Sequence, residues 1–163
     1  GTYTCGKDIQ AGLYDATVVT GDGNFTVKND NGLKVNEILS NSKNMGVSKV
    51  RVRIEKGDTI QIQNVGKVHF EPVKTPFATA VQTIDIYSGK WVVGKDIAPS
   101  KYTVTTGSGS GNFVVDEVVD QKEAVITNEI LKSNETKNVL VDLKDGDIIC
   151  VTGLNQVTLT PSK

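Results

Sequence analysis

Residues able to do chemistry are few in this chain of 163 residues, and the scarcest is histidine, present once as His69. Any Ser/His/Asp or Cys/His relay would have to pass through it. Its neighbours Val68 and Phe70 read as the inward side of a strand, which leaves His69 on the outward side. Neither nucleophilic catalysis nor a histidine- and cysteine-built metal centre is therefore expected. Carboxylates are stronger candidates, because Asp8 and Asp96, Asp58 and Asp147, and Glu37 and Glu129 recur at matching places. Two acids flanking a glycosidic bond make a hydrolase. Yet Asp58 and Asp147 each follow a glycine in a tight turn, where a carboxylate caps turn amides without any reaction, and Lys7-Asp8 suits a bend with a local ion pair. Asp22, Asn24, Asn29, Asp30 and Asn31 give two oxygen-rich loops of the kind that hold calcium. Their spacing matches no established calcium loop, and turn formation is the better account. The expectation is no enzyme, no cofactor and no metal.

Two groups of residues suit binding. Lys49, Arg51 and Arg53 alternate along one strand and include both arginines of the chain, so they can present forked donors to phosphate, sulfate or carboxylate on a polymer. Tyr87 and Trp91 share a parity and are candidates for stacking on a sugar ring, with core or interface packing as the plainer account. Cys5 and Cys150 are too few for a disulfide framework and lack Cys-x-x-Cys spacing. In an extracytoplasmic protein they would close nearly the whole chain by one bridge; two separate thiols remain the alternative.

The elements that must position these residues come in two copies. Gly6-Lys7-Asp8-Ile9, Tyr14 and Gly21-x-Gly23-Asn24-Phe25 return as Gly94-Lys95-Asp96-Ile97, Tyr102 and Gly109-x-Gly111-Asn112-Phe113, and residues 1–27 match residues 89–115 at 12 of 27 positions without a gap. Asn36-Glu37-Ile38-Leu39 then answers to Asn128-Glu129-Ile130-Leu131, after four additional residues in an intervening loop expected to be exposed, near residues 28–34 of the first copy. Val50, Val52, Ile54 and Gly57-Asp58 answer to Val139, Val141, Leu143 and Gly146-Asp147. Self-similarity of this kind marks a duplicated structural unit.

Each copy alternates apolar and polar residues over short runs broken by glycine, the pattern of half-buried strands. Hairpin turns are expected at Gly21–Asn24 and its counterpart Gly109–Asn112, and at Lys56-Gly57-Asp58. The fold class is all-β: two tandem, similar β-sandwich units, jelly-roll-like and packed together. Residues 1–73 form the first, 74–88 a connector with an extra strand in 80–87, and 89–163 the second.

Net charge is −1, too weak a field to suggest nucleic acid. No apolar run approaches the roughly 18–20 residues that cross a bilayer, so membrane insertion of this stretch is not expected. Where the first copy has Arg51, Thr59 and Gln61, the second has Leu140, Ile148 and Cys150. Three polar positions turned apolar on one sheet face predict a covered interface, within the chain or in a homo-oligomer.

The series Gly-Lys-Asp-Ile, Ala-Gly-x-Tyr, Gly-x-Gly-Asn-Phe, Asn-Glu-Ile-Leu and Gly-Asp-x-Ile resembles a tandem-repeat β domain of uncharacterised secreted proteins and lipoproteins of Gram-positive bacteria. The second copy departs from it at Pro99-Ser100, in place of Ala11-Gly12. The resemblance implies an extracellular or cell-surface location and no reaction. The function expected is a non-catalytic surface module that binds a cell-envelope glycan or polymer, or else a structural or adhesin-type domain that contacts a surface protein. A glycoside hydrolase-like enzyme stands behind both.

Overall fold

The computed structural model describes residues 1–43, 45–74, 80–135 and 138–162. The described chain is all-β and divides into two compact units, Gly1–Lys74 and Thr75–Lys163. Residues 75–79, at the head of the region read as a connector, lie outside the described residues.

The first unit contains β1 (Thr2–Thr4), β2 (Gly12–Asn29), β3 (Gly32–Leu39), β4 (Lys49–Ile54) and β5 (Thr59–Pro72). Its strand order is β1-β5-β2-β4, with β3 also on β2. β5 lies along β2 twice: Thr59–Gln63 runs beside Lys28–Asn24, and Val68–Pro72 beside Val18–Tyr14. Between these stretches the register shifts, and Gly21 and Asn64 adopt φ of 76° and 63°. Gly21–Asn24 is therefore a bend inside one long strand rather than the expected hairpin turn. Glycine is required at Gly23 because a Cβ there would overlap the carbonyl oxygen of Gln63, so the two backbones could not approach.

The second unit contains β6 (Ile84–Ile86), β7 (Gly89–Val92), β8 (Ser100–Thr105), β9 (Ser110–Val119), β10 (Lys122–Lys132), β11 (Val139–Leu143), β12 (Ile148–Thr152) and β13 (Val157–Pro161). Here the bends have become breaks, and the strands sort into two sheets, β7-β12-β9-β10 and β11-β8-β13-β6. Both sheets contribute to one core: Trp91, Phe113, Ile149 and Val151 from the first, Ile86, Tyr102, Val104 and Leu159 from the second. That is a β-sandwich. The first unit closes on a smaller core around Phe25, Val27, Leu39, Val52, Ile54 and Ile60.

The turns at Lys56-Gly57-Asp58 and Lys144–Asp147 also differ from expectation. They are not hairpins, since β4 and β5 both pair with β2, while β11 pairs with β8 and β12 pairs with β7 and β9. Alternation of apolar residues on both sides of Gly-Asp fits a hairpin and a crossing between sheets equally well. The crossing has a consequence for the apolar positions of the second copy: Leu140 is in one sheet, Ile148 and Cys150 in the other. They do not share a face. Leu140 is 71% exposed while Ile148 and Cys150 are half-buried, so the three do not make up the single sheet face expected of them.

True hairpins occur where an exposed loop was expected. β2 and β3 are joined through Asp30-Asn31, and β9 and β10 through Asp120-Gln121, whose φ values of 51° and 64° are those of a primed two-residue turn. The additional residues of the second copy lengthen these strands.

Candidate functional site

The duplicated signature is a hydrogen-bonded loop. In the first unit the Gly6 amide donates to the Ile9 carbonyl at 2.8 Å, the Asp8 amide to the Thr4 carbonyl at 3.0 Å, and Asp8 Oδ2 accepts the Thr4 amide at 2.8 Å. In the second, Gly94 donates to Ile97 at 2.7 Å, Asp96 to Val92 at 2.7 Å, and Asp96 Oδ2 accepts the Val92 amide at 2.7 Å. Tyr14 and Tyr102 brace the far side by donating their hydroxyls to the carbonyls of Gln10 and Ala98. Asp8 thus engages a strand amide, not Lys7.

Asp58 and Asp147 are both buried, and their Oδ2 atoms accept the amides of Glu55 and Lys144 at 2.8 Å. Asp58 carries more. Lys34 Nζ lies 2.7 Å from its Oδ2 and 2.8 Å from Glu55 Oε2, and Asn29 Nδ2 donates to Asp58 Oδ1 at 3.0 Å. Burial opposes ionisation of Asp58, but Lys34, the Glu55 amide and Asn29 together outweigh it and hold the carboxyl below its ordinary range. Burial likewise works against the Lys34 ammonium and is outweighed by Asp58 and Glu55, which raise its pKa. Sequence reading missed this cluster, because Lys34 stands in neither repeat motif and its counterpart in the second copy is Ile126. Of the oxygen-rich loops, Asn29 serves Asp58 and also accepts the Asn31 amide at 2.9 Å. Among the described residues no group of three or more His, Cys, Asp or Glu is placed to hold a metal.

The basic strand is not an open patch. Arg51 is buried, and its Nε and Nη2 reach Asp15 Oδ1 and Oδ2 at 3.1 and 3.3 Å across the β2–β4 pair. Its fork is thus closed on a carboxylate of its own sheet, while Lys49 is half-buried and Arg53 exposed. Trp91 is 4% exposed, donates Nε1–H to the Tyr87 carbonyl at 2.8 Å and meets the half-buried Tyr87 ring edge-on at 4.8 Å. No indole face is left for a sugar. Cys5 is a thiol buried in the first unit's core, and Cys150 is a half-buried thiol on β12. His69 is exposed, 3.0 Å from Glu71 Oε2.

What the structure brings together instead is a groove of about 460 Å³ in the first unit, walled by Tyr3, Ile9, Ile62, Val65, Val68 and Phe70 and rimmed by Lys67. Val68 and Phe70 lie on the second half of β5. That half pairs with β2 on one side, and among the described residues no strand pairs with its other side. The chemistry available is that of a sheet edge over an apolar floor: main-chain donors and acceptors beside pockets for side chains. Sequence reading placed Val68 and Phe70 on the inward face but could not show that the inward face was uncovered. The described residues also leave Val119, Val125, Ile126 and Ile130 exposed on the β9–β10 hairpin.

No known protein family, curated protein or solved structure matches the chain.

Proposed function

We propose that this chain is a non-catalytic interaction module of the bacterial cell surface whose contact is with protein rather than with glycan. The observation that carries the reading is the groove at the β5 edge, which offers apolar walls and main-chain groups. Support also comes from the two side chains on which a glycan contact would rest, since Arg51 is paired with Asp15 and Trp91 is buried under Tyr87. The duplicated acids Asp8, Asp58, Asp96 and Asp147 all accept backbone amides close by in sequence, which favours scaffolding over hydrolysis. The surface location follows the resemblance to secreted and lipoprotein repeats. The repeated hydrogen bonds around Gly-Lys-Asp-Ile support the further reading that both units derive from one jelly-roll-like domain.

Binding of labelled protein to Gram-positive cells tests the proposal. Capture should fall after the cells are shaved with protease and persist after wall polysaccharides are removed. Capture that follows the polysaccharide and survives shaving would restore the glycan reading.

A further inference from the structure

The two units differ most where the groove lies, and the second unit shows what fills such a groove. There β6 pairs antiparallel with β13, setting Ile84, Asp85 and Ile86 opposite Leu159, Thr158 and Val157. Ile86 is fully buried, and Ile84 and Tyr87 pack against the core. By the repeat, Val157 and Leu159 correspond to Val68 and Phe70, Trp91 to Tyr3 and Ile97 to Ile9. The second-unit member of each pair is fully or almost fully buried: Val157, Leu159 and Ile97 at 0% and Trp91 at 4%. The first-unit members are open, with Tyr3 42% exposed and Ile9, Val68 and Phe70 half-buried. The missing cover is one strand.

We propose that the first unit binds an extended peptide strand of a partner protein, added antiparallel to Val68–Phe70 with the pattern apolar, acidic, apolar, aromatic. This inference rests on the protein-contact reading above and names its ligand. Three features select that occupant. The β6–β13 pair is a working instance of the same geometry within this chain. The site continues an existing ladder, since β1 already lies along Thr59–Gln61 on β5 and the open edge extends it. Polar chemistry agrees as well. A strand in the register of β6 sets its acidic residue opposite His69, which stands between Lys67 and Glu71 and lies 3.0 Å from the Glu71 carboxylate, so the acid meets Lys67 and competes with Glu71 for the imidazole, whereas Asp85 in the second unit accepts the Thr158 hydroxyl at 2.6 Å. Cross-strand neighbours on one face interact directly, so this position discriminates among sequences. Apolar residues on either side enter the groove beside Val68 and Phe70, and the aromatic covers Tyr3 as Tyr87 covers Trp91.

A labelled peptide with the chain's own sequence from Val81 to Gly89 is the probe, titrated against the whole chain by fluorescence anisotropy. Saturable binding is expected, weakened at least tenfold when the peptide carries Ile84→Asp and Ile86→Asp, a control that leaves the protein untouched. Hydrogen exchange of the complex should show new protection at Lys67–Glu71. Three results would overturn the inference: no saturable binding, protection gained at β13 because the probe displaces β6, or a self-association of the chain that protects β5 and resists the probe, which would assign the edge to a second copy. Protease-sensitive capture on cells without peptide binding would remove this inference alone. Capture that follows the polysaccharide would remove the reading beneath it.

Discussion

Replacing Asp58 with asparagine separates a scaffolding carboxylate from a reactive one, because the substitution keeps the shape and removes the charge. Asparagine can still present one oxygen to Lys34 and the Glu55 amide, but as a neutral acceptor, and its NH₂ then faces the NH₂ of Asn29. Charge-assisted hydrogen bonds contribute about 1.5–3 kcal/mol each, and a buried donor left without an acceptor costs about 1–3 kcal/mol. Lys34 keeps Glu55 at 2.8 Å, so the loss stays below that of an orphaned buried charge. About 3 kcal/mol is expected, which for a unit of this size is roughly 12–24 °C in melting temperature. Scanning calorimetry of Asp58→Asn against the parent measures it. The effect also has a pH signature. The folded pKa of Asp58 lies below the ordinary aspartate value of 3.8, so its contribution is present above that pH and disappears as pH falls through the folded value. For Lys34, raised above 10.5, the contribution is intact below that pH and fades as pH rises through the folded value. Parent and variant should therefore converge in strong acid. A variant that melts with the parent at neutral pH, or a gap that widens in acid, would refute the scaffolding role.

Trp91, the sole tryptophan, should emit at short wavelength and resist acrylamide quenching, and Trp91→Ala should cost about 3–5 kcal/mol; a strongly quenched indole would contradict its burial. Denatured without reductant, both Cys5 and Cys150 should take up an alkylating agent, read as two adducts by mass spectrometry, whereas an unmodified disulfide mass would contradict the thiol assignment. Leu140→Thr should change unfolding free energy by less than about 0.5 kcal/mol and leave the sedimentation coefficient unchanged; a change in either would show that Leu140 is covered.

Much of this fold was legible because strand signals are local. Alternation in Val50–Ile54 and Val139–Leu143, with glycines between runs, sufficed for an all-β reading. Pairing was not legible, because which strand lies beside which is decided by residues distant in sequence. Gly21–Asn24 carries turn composition, yet the chain bends there without reversing, since β5 follows β2 around the bend. The same limit governed the site. Arg51 and Trp91 are the types that bind polymers, but Asp15 and Tyr87 had claimed them, and those partners became visible only with the β2–β4 register and the ring contact. Lys34 was overlooked because repeat comparison favours what the copies share. The groove, too, is a difference between copies.

The open edge of β5 is the claim on which the functional account turns, and amide hydrogen exchange on the unliganded chain measures it directly. On Val68–Glu71 the amides directed away from β2 should exchange far faster than their counterparts on β13, where β6 and β8 flank the strand on both sides. Equal protection on the two strands would mean that the edge is already covered, and the binding site described here would not exist.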